Sequence, residues 1–399
     1  MKPFADAIQA GSFNTEDTAF LAFDLEVLLN RLTTLRSSFP DGFQHAVAIK
    51  TNPQSEVLSF ILSCGFNLEA ASMEELKLAV RAGASGDQLV FDSPVKTRAE
   101  IAWCAEHLPG LMLNVNRLEE LIRMPKGHGF RLGIRINPMV SASGDAMYDV
   151  STTTSKFGVP IHHKSAILRA VRDHEVHGLH LHVGSGATDG EGHLKAVRNV
   201  LSLAQEIDAE LVEQGKAPLS FLNIGGGLAA AAGEHEMRKY GSAIGEMSAK
   251  DGRRWSTEFG QWVHEPIGQI FSRVEYCESP QGQKPGLAYL HIGADMMVRQ
   301  VYHKKKPLKV SAFDGQGQLR GGPVMSYRLV GPLCFAGDVL SESVEVPKLE
   351  ENDWVCLSNM GANTLGLWSR HCSRAVPKVM VRHPKGLWKC AQERTQINF

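Results

Sequence analysis

Apolar positions along this chain fall into short runs separated by amphipathic stretches. Between residues 20 and 262 the runs read "HAVAIK", "FNLEAAS", "QLVFDSP", "GLMLNV", "FRLGIRINP", "VHGLHLHVG", "SFLNIGGG" and "RWSTEFG". The intervening segments, such as "SMEELKLAVRAGA", "TRAEIAWCAEHL" and "HLKAVRNVLSLAQEIDAELVEQG", carry apolar residues at helical spacing. Eight strands, each followed by a helix, predict an α/β fold, a (β/α)8 barrel over residues 23–264. An open doubly wound sheet is the alternative that the same alternation allows. Beyond residue 265 the texture changes. "GQIFSRVEYCES", "GLAYLHIGA", "PLKVSAF", "MSYRLVGPLCF", "DWVCLSNMG" and "PKVMVRHP" are short, strand-like and bounded by turn residues. They predict a β-rich domain formed by 265–399 together with 1–22.

Composition narrows the partners. Hydrophobic residues make up 43% and charged residues 21% of the 399 positions, an ordinary globular mixture, and the net charge is −1. Such a balance argues against a nucleic-acid binder or a polybasic membrane-surface protein. The expected partners are a small molecule and a second copy of the chain. The 7 cysteines are scattered, with no CxxC pair and no Cys/His cluster at zinc spacing, so no disulfide framework and no metal site is expected. No apolar stretch has the length of a signal peptide or a membrane span, which leads to the expectation of a reducing, cytoplasmic setting.

The strand ends hold the candidate chemistry, because barrels place functional residues there. Lys50 closes the first run. With Ala46 and Ala48 beneath it, a long side chain has room, and desolvation is expected to lower the amine pKa as a nucleophilic lysine needs. A lysine simply exposed at a strand end is the plain alternative. His180 and His182 share one side of the sixth strand, either as part of a metal pair or with an imidazole stacked on a flat ligand. Gly225, Gly226 and Gly227 let backbone N–H groups crowd round an anion, or form no more than a turn. Glu258 adds a carboxylate at the end of the eighth strand. An amine, an imidazole, an anion cradle and an acid together suit a flat, phosphorylated aldehyde, and pyridoxal 5′-phosphate (PLP) is the economical candidate.

The motifs "AFDLEVLLNRL", "AIKTN", "EAAS-MEEL", "IRINP", "SKFGV", "GLHLHVGSG", "NIGGGL", "E-x-G", "GPLC-x-x-x-D" and "GA-x-T", in this order, resemble the fold-type III PLP-dependent decarboxylases. That is the family of diaminopimelate, ornithine and arginine decarboxylases. The resemblance spans nearly the whole chain. It implies a PLP-binding TIM-like barrel followed by a C-terminal β-sandwich-like domain, the alanine racemase-like fold. It implies that Lys50 holds PLP covalently and that His182 stacks on the ring. Glu258 would pair with the ring nitrogen, and Arg135 of "IRINP" would belong to the cofactor site. Ser185, Gly225, Gly226, Gly227, Gly260 and Gln261 would hold the phosphate. Cys334 would enter from the second subunit of a homodimer and return a proton to the substrate's α-carbon, with Asp338 of the same motif in the substrate site. Arg299 would bind a substrate carboxylate, and Tyr302 stands one residue away from the family's tyrosine. Glu258 and Cys334 speak against a racemase, and retention of the site residues speaks against an inactive, binding-only relative.

Three departures bear on substrate. Gln261 stands where diaminopimelate decarboxylases carry an arginine that grips the distal carboxylate. Phe335 replaces the carboxylate that pairs with a distal ammonium, and a phenyl ring cannot compensate a desolvated cation. Asn363 replaces a phosphate-binding tyrosine, with its amide as the remaining donor. The basic run His303, Lys304, Lys305 and Lys306 is either a solvated loop or a mouth that attracts a polyanion. With Phe335, the second option resembles decarboxylases of carboxylate-siderophore pathways, acting on citryl-linked or small amino acids. A tolerant diaminopimelate decarboxylase is the alternative.

Overall fold

The structure, a computed structural model, describes residues 8, 12–14, 16–142, 147–303 and 306–396. Lys304 and Lys305 of the basic run lie outside the described residues. The chain divides into two compact units, one of residues 30–263 and one of 1–29 with 264–399.

Strand β1 (Ala19–Asp24) belongs to the second unit. The first unit carries β2 (Gln44–Ala48), β3 (Asn67–Ala70), β4 (Leu89–Phe91), β5 (Met112–Val115), β6 (Arg131–Asn137), β7 (Val159–Pro160), β8 (Gly178–Leu181), β9 (Phe221–Asn223) and β10 (Arg254–Thr257). All pair in parallel in the order β5-β4-β3-β2-β10-β9-β8-β6-β7, and a further β5–β6 pairing closes eight of them into a barrel. That closure excludes the open doubly wound sheet. The expected strands all form, because each apolar run is buried on both faces, one toward the barrel interior and one beneath the helices. Ala46, Val90, Met112 and Phe221 pack into one interior cluster.

Local chemistry sets the helix starts. Ser72 caps Met73–Arg81, its hydroxyl accepting from the Glu75 N–H at 3.2 Å. Thr97 and Glu100 form a reciprocal capping box ahead of Arg98–His107. The helix Glu191–Glu213 buries Leu194, Val197, Val200, Ala204, Ile207 and Leu211, one stripe at 3–4-residue spacing. The expectation of a helix after every strand fails once. Between β5 and β6 only a 3-10 segment, Leu118–Arg123, forms, since Pro125, Gly127 and Gly129 follow at once and cut off a longer helix.

The second unit continues with β11 (Gly268–Glu278), β12 (Gly286–Leu290), β13 (Val310–Phe313), β14 (Val324–Val330), β15 (Val339–Pro347), β16 (Trp354–Ser358), β17 (Lys378–Arg382) and β18 (Trp388–Gln392). With β1 these make nine strands among the described residues, in the order β15-β14-β12-β11-β1-β17-β18, with β16 pairing β11 and β13. Its core holds Phe20, Phe271, Phe313, Trp354 and Met380, with the Phe20 and Phe271 rings stacked at 4.6 Å. No helix of the described residues is long and apolar enough to cross a membrane.

Candidate active site

The barrel brings together, at the strand ends, the residues that the sequence places in its first unit. Lys50 sits just past β2 in a 3-10 turn, Ile49–Thr51. Gly260 lies directly against that turn, where a Cβ would meet Thr51 Cγ2 at 2.8 Å and Ala48 Cβ at 2.9 Å. Lys50 Nζ donates to Glu69 Oε2 at 2.9 Å, with the lysine side chain 48% exposed and the glutamate fully buried. The expected fall in its pKa does not occur. Burial pulls the amine down, but Glu69, with Glu258 and Asp92 behind it, outweighs that pull and raises it above the ordinary lysine value. Lys50 is therefore held as a cation, with a carboxylate in place to take its proton.

The glycine trio is a close approach of backbones rather than an ordinary turn. Gly225 and Gly227 have φ of +64° and +132°, values that L side chains rarely adopt. A Cβ on Gly226 would lie 2.7 Å from the Glu258 carbonyl carbon. Gly226 N–H donates to His182 Nδ1 at 3.2 Å, and the Gly186 N–H donates to Gly227 O at 2.9 Å, which ties the Ser185–Gly186 loop to the trio. Accepting at Nδ1, with burial and nearby Lys50 and Arg135 lowering its pKa well below that of free histidine, His182 is neutral. Gln261 opens the short helix Gln261–His264, directly after Gly260.

Beneath these lies a polar layer, of which sequence reasoning picked out Glu258, Arg135 and His180 but missed Glu69, Asp92, Asn114 and Asn223. Asn223 Nδ2 donates to Glu258 Oε1 at 2.6 Å, and Asn114 Nδ2 donates to Asp92 Oδ1 at 2.6 Å. His180, fully buried, has Nε2 at 3.4 Å from Asp92 Oδ2 and 3.3 Å from Glu258 Oε2. Arg135, also buried, lies over the Phe157 ring at 4.5 Å. Burial lowers its pKa, opposed by Asp92, Glu258 and Glu69. Glu258 is pushed well above the carboxylate range by burial and by the Asp92 and Glu69 charges. Asp92, despite burial, is held below its usual value by His180, by its hydrogen bond with Glu258, and by Arg135 and Asn114. The signal for three of the missed residues was present: Glu69, Asn114 and Asn223 are polar positions inside strands otherwise built of apolar residues.

The remaining candidates belong to the second unit. Arg299 and Tyr302 share the short helix Val298–Tyr302. The Phe335 ring lies near-parallel to two neighbours, Tyr302, at 5.6 Å and 6°, and His371, at 5.3 Å and 17°. Tyr302 Oη lies 3.0 Å from His371 Nδ1. His371 had no signal in the sequence. Cys334, beside this stack in the chain, is exposed. Asp338 is placed differently from the substrate contact anticipated for it. It is buried, its Oδ1 accepts the Ala294 N–H and its Oδ2 the Leu333 N–H, both at 2.7 Å. Both oxygens are thus committed to holding the loop that presents Cys334. Asn363 has φ of +59°, a left-handed position that asparagine adopts more readily than tyrosine.

The donor set of the barrel fits PLP. A lysine amine stands at the mouth, a protonated carboxyl and an imidazole lie below and beside it, and a glycine cradle admits no side chain. Among the described residues, both nitrogens of buried His180, and Oε1 of Glu69, have no hydrogen-bond partner, as expected of a site shaped around a further polar group.

Comparison with known proteins agrees. The profile of the pyridoxal-dependent decarboxylase, pyridoxal binding domain, matches residues 25–254, and that of the pyridoxal-dependent decarboxylase, C-terminal sheet domain, matches 262–361. The chain belongs to the pyridoxal-dependent decarboxylases, carboxy-lyases whose cofactor is PLP. It is 26% identical over 391 residues to diaminopimelate decarboxylase of Bacteroides thetaiotaomicron, covering 92% of this chain and 96% of that one. It is 24% identical over 380 residues to chloroplastic ornithine decarboxylase of Nicotiana glauca, covering 91% and 83%. Among solved structures, diaminopimelate decarboxylase from Helicobacter pylori complexed with L-lysine superposes with a TM-score of 0.84 at 21% identity, covering 97% of this chain and 96% of that one. These structural likenesses establish the fold.

Proposed function

We propose that this enzyme decarboxylates a specialised amino-acid-like substrate, a citryl-linked or small amino acid of the kind used in carboxylate-siderophore biosynthesis. We further propose that it does so as a homodimer with active sites shared between subunits. The observation that carries the reading is Phe335. Where a pocket for ornithine or diaminopimelate needs a carboxylate, this chain presents a phenyl ring packed against Tyr302 and His371. An ammonium buried there without a partner costs several kcal/mol, so the favoured substrate has no distal cation at that point.

The roles follow from the residues. Lys50 holds the cofactor through its aldehyde, and Glu69, at 2.9 Å, accepts the proton the amine must lose to become a nucleophile. Ser185, Gly225, Gly226, Gly227, Gly260, Gln261 and Asn363 would hold the phosphate, and neutral His182 would stack on the ring. Glu258, with Arg135 nearby, would pair with the ring nitrogen. Bound PLP supplies the electron sink that accepts the pair left on the α-carbon when the carboxylate departs as CO2. Arg299 orients a substrate carboxylate. Cys334 Sγ returns the proton to the α-carbon, on a loop kept in place by Asp338.

The test is CO2 release from a panel of citryl-amino acids, serine, 2,4-diaminobutyrate and diaminopimelate, with chiral analysis of recovered amino acid. We expect the best turnover on a substrate without a distal ammonium and none of the racemised product. Diaminopimelate as the most efficient substrate would support the second reading, lysine-forming diaminopimelate decarboxylase, which the names of the relatives favour. Purified protein should show the visible absorbance of bound PLP, lost in Lys50→Ala. Colourless wild-type protein after incubation with PLP would sink both readings.

A further inference from the structure

The floor of the barrel site carries more acid than one ring nitrogen requires. Three carboxyls, Glu69, Asp92 and Glu258, face two cations, Lys50 and Arg135, and two imidazoles, His180 and His182. Burial holds both imidazoles neutral, His180 at a pKa of about 4. Lys96 also faces Asp92 and Arg135 but is neutralised by its pair with Glu120, and Glu75, facing Glu69 and Lys50, is itself raised to about 7. The buried floor of Asp92, Glu258 and Glu69 is then closest to neutral when one of its carboxyls keeps its proton, and a dry interior strongly disfavours an uncompensated charge.

Geometry decides which carboxyl that is. Oε1 of Glu258 accepts from Asn223, and Oδ1 of Asp92 accepts from Asn114, both at 2.6 Å. The free oxygens, Glu258 Oε2 and Asp92 Oδ2, turn toward the same point, His180 Nε2, at 3.3 and 3.4 Å. One atom each of Asp92, His180 and Glu258 lies within 4.8 Å of the others. Two ionised oxygens do not share such a space without a proton between them. Both carboxyls have an asparagine donor, but Glu258 faces two other carboxyls, Asp92 and Glu69, whereas Asp92 has His180 and Arg135 as its nearest charged or polar neighbours, so Asp92 is the ionised member and Glu258 the protonated one.

We propose that Asp92, together with His180, is a positioning residue that keeps a proton on Glu258 Oε2 and so arms Glu258 to protonate a ring nitrogen placed against it. Transfer of that proton leaves Glu258 anionic beside a cationic ring, so the charge balance of the floor is the same before and after. The delivery step rests on the reading of Glu258 given above, whereas the held proton does not.

Infrared spectroscopy on the full chain stripped of PLP reads the proton directly. At pH 8, where Glu75, raised to about 7, is mostly ionised, the wild type shows the C=O stretch of a buried, protonated carboxylic acid, and the component assigned to Glu258 is lost in the Glu258→Gln difference spectrum. Asp92→Asn keeps the shape of the side chain and the Asn114 hydrogen bond while removing the charge. It lowers the proton affinity of Glu258 at least about tenfold, which moves the pH midpoint of the band down by about one unit. Asp92→Ser serves in its place should the asparagine variant not fold. An unmoved midpoint overturns the proposal, because burial alone would then hold the proton. So does a wild-type chain that shows no band, and so does a stoichiometric divalent metal ion recovered from the wild type and absent from Asp92→Asn, because a metal-bound Glu258 carries no proton. Failure of PLP to bind leaves the infrared result standing, so the two readings fail separately.

Discussion

Gly226→Ala probes the glycine cradle at the point where its spacing is tightest. The added methyl would sit 2.7 Å from the Glu258 carbonyl carbon and 3.0 Å from the Phe259 nitrogen, and closer still to the Glu258 carbonyl oxygen. Carbon atoms in contact prefer about 3.5–4.0 Å, so one backbone must retreat by about 1 Å. Every clashing atom is main chain, and none is the end of a flexible side chain that swings away. The displaced strand end carries Glu258, and the displaced amide is the one that donates to His182 Nδ1. Overpacking of this kind costs about 1–3 kcal/mol. For a unit of this size a loss of 1 kcal/mol lowers Tm by about 2–4 °C, so the expected fall is about 2–12 °C. On the roles proposed above, the same shift would misplace the phosphate donors and the ring-nitrogen acid together. Equilibrium titration of PLP, followed by its visible absorbance, should therefore show affinity weakened at least about tenfold. That is the loss of about one charge-assisted hydrogen bond. Differential scanning calorimetry and the PLP titration check both arms. An alanine variant with unchanged Tm and unchanged PLP affinity would refute the reasoning, since it would mean that the trio is a spacious turn and not a cradle.

Two further outcomes follow from buried charge. Lys96 is fully buried, donating to Glu120 Oε2 at 2.9 Å and to Ser93 O at 2.6 Å. Lys96→Met strands the Glu120 carboxylate and should cost about 3–5 kcal/mol in urea unfolding, most of it regained when Glu120→Gln is added; equal losses in the single and double variants would contradict this. Burial holds His45, His180 and His193 at about 4 and His264 at about 3, whereas the unfolded chain titrates them near 6.5. The unfolded state therefore binds the extra protons below pH 6.5. Stability should fall as the pH drops toward 4, by up to about 1.4 kcal/mol per pH unit for each histidine. Glu75, raised to about 7 by burial, and Glu258 oppose the trend but are outnumbered. A urea midpoint that is flat or rising from pH 7 to 5 would count against it.

The strands of the barrel were legible because each is an apolar run long enough to be buried on both faces, from "HAVAIK" to "RWSTEFG". The strand β15 escaped notice because its middle is exposed, with Glu342 and Ser343 facing solvent, and β18 has no fully buried position at all. Lys50, His182, the glycine trio and Glu258 could be picked out because unusual residue types stand at strand ends. Asp92 could not, although it sits in "QLVFDSP", because a single carboxylate after an apolar run is as consistent with a solvated turn.

What the sequence determined by itself was the order of the elements, the local caps and the identity of the chemical groups, all of which depend on residues a few positions apart. Closure of β5 onto β6 decided the rest. It brought Asp92 from the third barrel strand, His180 from the sixth and Glu258 from the eighth into one dry space. It also reversed the expected direction of the Lys50 pKa, because Glu69 reaches that amine only through the β2–β3 pairing. Electrostatic energies in a low-dielectric interior depend on distances through space, and those distances are set by strand pairing and not by separation along the chain.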